Sequence, residues 1–74
     1  MTLGDLRPKQ KARVLKIGTQ GQLRQRILDM GITPMVEVEL IKVAPLGDPL
    51  EFLVRGYQLS LRKSDALLIE VEKV

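Results

Sequence analysis

The sequence predicts a mainly β chain with one short helix, its roughly five short strands curled into a small, partly closed barrel. Three observations lead there. Aliphatic residues alternate with charged ones over several short stretches, the period-two pattern of a half-buried strand. Only one segment, Gln22–Met30, repeats with a helical period, and prolines and glycines fall between the stretches rather than inside them.

Taken in order, Thr2 to Arg7 reads as a short turn closed by Pro8, because a residue before proline is steered away from the helical region. Lys11–Ile17 is the first strand, with Val14, Leu15 and Ile17 apolar and Arg13 and Lys16 solvated, an imperfect alternation. In Gln22–Met30, Leu23, Ile27 and Met30 fall at i, i+4 and i+7, one face of a helix too short to hold alone in water. Gly31 supplies the left-handed residue that ends it.

Thr33-Pro34 turns the chain into the strand Val36–Val43. There Val36, Val38 and Leu40 share a face, then the phase flips to Ile41 and Val43, which predicts a β-bulge. Ala44–Pro49 is a loop made rigid by two prolines. Leu50, Phe52 and Val54, and after Gly56 Tyr57, Leu59 and Leu61, alternate as the arms of a tight hairpin. Lys63–Ala66 reads as one helical turn capped by Ser64 or Asp65, and Leu67–Glu72 as the last strand, with Leu67, Ile69 and Val71 inward.

With 74 residues, 45% of them hydrophobic but only Phe52 and Tyr57 aromatic, the expected unit is one domain over residues 1–74 with a thin aliphatic core. There is no Cys and no His, which removes disulfides, the usual general base and the usual strong nucleophile. Glu37 with Glu39, and Glu70 with Glu72, are outward solvating charges rather than a catalytic pair. Transition metals favour imidazole and thiolate, so neither a metal site nor a cofactor is expected, and Gly18-Thr19-Gln20-Gly21 lacks the Lys-Ser/Thr of a phosphate loop. No apolar run reaches the roughly 18 residues of a membrane span and the first residues lack a signal-peptide layout, so a cytoplasmic location is expected.

Residues 1–35 hold seven Lys/Arg against two Asp, while residues 36–74 hold five against seven acids, a balance of +5 and −2. Such asymmetry can present a basic face to an acidic partner. One reading is a nucleic-acid-binding barrel tracking phosphates with Arg7, Lys9, Lys11, Arg13, Lys16, Arg24 and Arg26, although stacking platforms are scarce. The other is docking on a protein.

The order Leu3-x-x-Leu6, then Arg26-Ile27-Leu28-Asp29-Met30-Gly31-Ile32, then Ala44-Pro45-Leu46-Gly47-Asp48-Pro49, then Leu61-Arg62-Lys63-Ser64-Asp65-Ala66, resembles the FeoA family of ferrous iron transport proteins, almost end to end. The resemblance implies an SH3-like β-barrel and a small cytosolic accessory of FeoB, the membrane ferrous iron transporter with a cytoplasmic GTPase domain. A related module closes some metal-dependent repressors, whose DNA-reading helices have no counterpart in this sequence. Lys9 and Met35 stand where the family often has Gly after Pro8 and Pro34; Met35 as third residue of a type II turn would need positive φ.

Within such a protein-binding barrel the expected contact surface is the loop Pro45, Leu46, Gly47 and Asp48 with the basic side chains of Arg24, Arg55 and Arg62. A loop held by prolines loses little entropy on docking. Leu46 at its tip either meets a partner or folds back as a plug, and Arg62 either stays free or pairs with Asp65.

Overall fold

The alternation over Lys11–Ile17 becomes strand β1 of a computed structural model that describes residues 1–74. It is followed by the helix α1 (Gly21–Asp29), β2 (Glu37–Val43), β3 (Leu50–Val54), β4 (Tyr57–Leu61), the one-turn helix α2 (Lys63–Ala66) and β5 (Ile69–Lys73). A 3-10 turn, Leu3–Asp5, precedes them. All strands pair antiparallel in the order β4-β3-β2-β1-β5.

Two irregularities curl this sheet around its core. The register slips between Leu40 and Lys42 in β2, where the sequence phase flips, and between Val14 and Lys16 in β1. An extra residue bends the strand and steepens its twist, so one strand can serve two faces of a barrel. The β1 slip turns Leu15 outward, 45% exposed, while Val14 and Ile17 stay buried.

All sixteen buried residues are apolar, with Phe52, Leu3, Ile27, Ile32, Leu40 and Ile69 the largest fully buried side chains. Burying Ile27 contributes about 1.5–3 kcal/mol, which is what holds a nine-residue helix that would melt in isolation. The helix ends in a Schellman motif: Ile32 N–H donates to Ile27 O at 3.3 Å and Gly31 N–H to Leu28 O at 2.9 Å, with Gly31 at φ +97° and Ile27 and Ile32 both in the core.

Two expectations, the cap of α2 and the place of Leu67, are corrected, and Tyr57 takes a position that alternation alone does not give. Neither Ser64 nor Asp65 caps α2; its N-cap is Arg62, whose side chain makes no cap bond. Tyr57, in phase with the core, is 46% exposed, because beside the hairpin turn its ring leans over the end of α1 and its hydroxyl donates to Met30 O. Leu67 lies in the turn before β5 rather than in the strand and is exposed beside Gly4.

Two turns carry the positive φ that sequence permitted but did not require. In Thr33-Pro34-Met35-Val36, Val36 N–H donates to Thr33 O at 3.1 Å with Met35 at φ +74°, a type II turn. Arg7-Pro8-Lys9-Gln10 repeats it, Gln10 N–H to Arg7 O at 3.0 Å and Lys9 at φ +74°. A third, Arg55-Gly56, has φ +51° and +86° as a two-residue hairpin of type I′ requires. At the chain start the Asp5 carboxylate accepts from Thr2 N–H at 2.8 Å and Thr2 Oγ1 at 3.2 Å, and the backbone bond above all holds its carboxyl below the usual aspartate range.

The two sheet edges differ. Outside β5, Thr2 bridges Glu70 and Val71 N–H donates to Met1 O, so the chain start covers that edge. No segment pairs with the outer edge of β4.

Candidate partner-binding site

The loop between β2 and β3 is closed on itself by two backbone hydrogen bonds. Ala44 N–H donates to Pro49 O at 3.0 Å and Gly47 N–H to Ala44 O at 2.8 Å, with Pro45 pre-setting the first corner of the turn and Gly47 taking φ +89° after it. Leu46, at the tip, is 96% exposed, so it is not a plug over the barrel end. Asp48 Oδ1 accepts from Lys63 N–H at 2.8 Å, and this bond across the hairpin satisfies an N-terminal donor of α2 that its own residues leave free. Asp48 and Pro49 thereby come against Arg62, around a hollow of about 270 Å³ that Ser60 and Leu61 complete.

The predicted residues therefore divide. Pro45, Leu46, Gly47 and Asp48 adjoin Arg62 at one end of the β3–β4 hairpin. Arg55 lies in the turn at the other end, where its guanidinium donates to Thr33 Oγ1 at 3.1 Å beside Lys11, Glu37 and Glu39. The structure does not bring it to the loop. Arg24 is exposed on α1 but does not face Arg62; Arg26 does, across a groove of about 650 Å³ lined by Gln22, Leu23, Arg26 and Met30 of α1 and by Ser60, Leu61, Arg62 and Asp65. Arg26 was legible in principle, being three residues after Leu23 and four before Met30, next to the apolar stripe that docks the helix.

The arginines of this face are not tied up in ion pairs. The four ion pairs, Arg13 with Glu37 and Glu72, Lys16 with Glu70, and Lys42 with Glu51, lie on the sheet at 3.3–3.9 Å and are open to solvent, with Arg13 and Glu51 half-buried, worth under about 1 kcal/mol each. The first three join the basic first half to the acidic second, so the asymmetry along the sequence does not become one basic face. Arg24, Arg26, Arg55 and Arg62 take part in none of them, and Arg62 does not pair with Asp65. Phe52 is fully buried and Tyr57 is tied to α1, which leaves no row of aromatic faces for stacked bases. No group of three or more Asp or Glu converges on a point where a metal ion could be held, and the chain has no His or Cys.

A small barrel of this kind, with an aliphatic core, a rigid exposed loop and free guanidiniums, is a β-barrel domain with an SH3-like fold. The chain belongs to the FeoA family: the FeoA domain matches residues 1–73. All 74 residues align at 35% identity with the Fe(2+) transport protein A/Fe(2+) transporter FeoB fusion protein of Porphyromonas gingivalis, of whose length this chain spans 9%. Iron(II) transport protein A of Clostridium thermocellum is 40% identical with a TM-score of 0.96 over 100% of this chain and 46% of that one. The zinc complex of Stenotrophomonas maltophilia FeoA, described as a procaryotic SH3 domain protein, is 26% identical with a TM-score of 0.85 over 97% of this chain and 89% of that one.

Proposed function

We propose that this chain is an accessory of ferrous iron uptake that acts as one unit on the cytoplasmic side of the membrane by docking on FeoB, through the loop Pro45–Asp48 and Arg62. The observation that carries the reading is the fusion relative, in which a sequence similar to this whole chain and a FeoB transporter share one polypeptide. Joining two modules raises their effective concentration to the millimolar range for short linkers, which favours a contact between them that separate chains must make by affinity alone. The loop supports the reading physically: it is ordered before any partner arrives, and Leu46 exposes an apolar side chain that folding does not use.

Purified FeoB in detergent, immobilised and titrated with the 74-residue chain, tests this. Leu46→Ser and Arg62→Ala are expected to melt near the wild-type temperature yet bind more weakly by about 1–3 kcal/mol each. Unchanged affinity in both variants removes the proposed surface, and no association at all of the wild type removes the partner.

A further inference from the structure

The outer edge of β4 is the strand edge with which no backbone in the chain pairs, and it borders the groove with Arg26 and Arg62. In the hairpin, Val54 pairs with Tyr57 next to the two-residue turn, so hydrogen-bonded pairs alternate outward from there: Val54 with Tyr57, Phe52 with Leu59, Leu50 with Leu61. Gln58 and Ser60 fall between them, opposite Leu53 and Glu51. Their N–H and C=O groups consequently point away from β3, and no turn, cap or side chain elsewhere in the molecule bonds to them. Both residues are exposed.

Proteins guard such edges with lysine, proline, a bulge or a covering segment, and the β5 edge has one in Met1–Thr2. β4 has no lysine, proline, bulge or paired segment at its edge: Tyr57–Leu61 is regular and carries no charged residue. What faces its edge is α1, held off by the Tyr57 hydroxyl on Met30 O at one end and leaving the groove open toward Arg62 at the other. The charged groups lining that groove are the guanidiniums of Arg26 and Arg62 and the carboxylate of Asp65; the Asp48 carboxylate beside Arg62 already accepts from Lys63 N–H, and neither arginine is in an ion pair.

We infer that this groove takes an extended, acidic segment of the protein partner, which adds to the sheet as a strand beside β4 with its carboxylates on Arg26 and Arg62. The inference rests on the reading of the chain as a partner-docking domain and specifies the chemistry of the docked segment. A strand supplies alternating N–H and C=O groups that match those of Gln58 and Ser60, and its every second side chain, about 7 Å apart, returns to the same face. Two carboxylates so placed give Arg26 and Arg62 the ion pairs they lack within this chain. A second copy of this chain fits the edge but brings no carboxylate to Arg26 and Arg62, since Tyr57–Leu61 carries no charged residue. Nucleic acid fits the charge but not the edge.

The test uses the full 74-residue chain, labelled with nitrogen-15, and a capped seven-residue peptide of alternating Val and Glu. On titration the amide signals of Gln58 and Ser60 should shift together, and their exchange with solvent should slow by about tenfold or more as they enter a ladder. Arg26→Ala and Arg62→Ala should each weaken binding by about fivefold to tenfold, and a peptide of alternating Val and Lys should not bind. The same Val-Glu peptide methylated on its backbone nitrogens should also fail, which separates a ladder from charge attraction alone. Ser60→Pro removes an outward donor without touching a bond to β3 and should abolish binding while the fold persists. The inference is overturned by absence of binding at millimolar peptide, by shifts centred on Lys9–Lys16, by equal binding of the methylated peptide, or by sedimentation showing dimers that pair through β4. Failure here with Leu46→Ser still weakening FeoB association discards the groove alone; intact peptide binding with no FeoB association discards the named partner alone.

Discussion

Met35 and Lys9 hold positive φ with a Cβ, at a cost of about 1–2 kcal/mol each, in turns whose third position suits glycine. Met35 is 65% exposed, so its side chain offers little packing in return. Met35→Gly should stabilise the fold by about 0.5–1 kcal/mol once glycine's larger entropy loss is deducted, read as a higher denaturant midpoint at unchanged slope. A lower midpoint would mean that the Met35 side chain is needed where it is. Gly31 is the opposite case. Its φ is +97°, and a Cβ there collides with the Tyr57 hydroxyl. Gly31→Ala should cost about 2 kcal/mol or more, and less in a Tyr57→Phe background, where the hydroxyl is gone; equal costs in the two backgrounds would show that only the backbone conformation matters. The capping role of Gly31 was legible because Gly after an apolar helical stripe is a local signal. The clash with Tyr57 was not, because it joins residues on α1 and β4 that only the folded sheet brings together.

At the scale of elements, period two located all five strands, and the flip after Leu40 located the β2 bulge, because burial on one face leaves its mark on every second residue. Where a strand stops is a matter of hydrogen bonding, which the period does not record, and so phase alone places Leu67 inward although it lies in the turn before β5. The cap of α2 escaped for a related reason. Local signals pointed to Ser64 and Asp65, while the group that bonds to Lys63 N–H is the Asp48 carboxylate from the preceding hairpin's entry loop. Asp48→Ala should cost about 1 kcal/mol in thermal melts and Ser64→Ala close to nothing. The reverse order would restore the local cap. Because Asp48 also borders Arg62, its loss should loosen the proposed contact surface by releasing the loop from α2, whereas Arg55, at the far end of the hairpin, should be neutral for FeoB binding.

Over the whole molecule, neighbours in the sheet are also neighbours in the chain from β2 to β4, but β1 and β5 are not: Ile17 meets Ile69 and Val14 meets Val71 across about 50 intervening residues. Closing a loop of that length costs on the order of 3 kcal/mol in chain entropy, whereas the two-residue turn at Arg55-Gly56 closes at almost none. The barrel should therefore assemble from its middle outward, with β2–β4 structured at the rate-limiting step and the β1–β5 seam zipping afterwards. In stopped-flow folding, Val54→Ala, in the meander, should slow refolding by most of its stability loss. Val71→Ala, in the seam, should leave refolding nearly unchanged and instead accelerate unfolding. Refolding slowed chiefly by Val71→Ala would place the seam in the nucleus. With the seam forming last it is also the first to open, so the spontaneous excursions of this domain should expose β1 and β5 while leaving the β4 face and its loop intact.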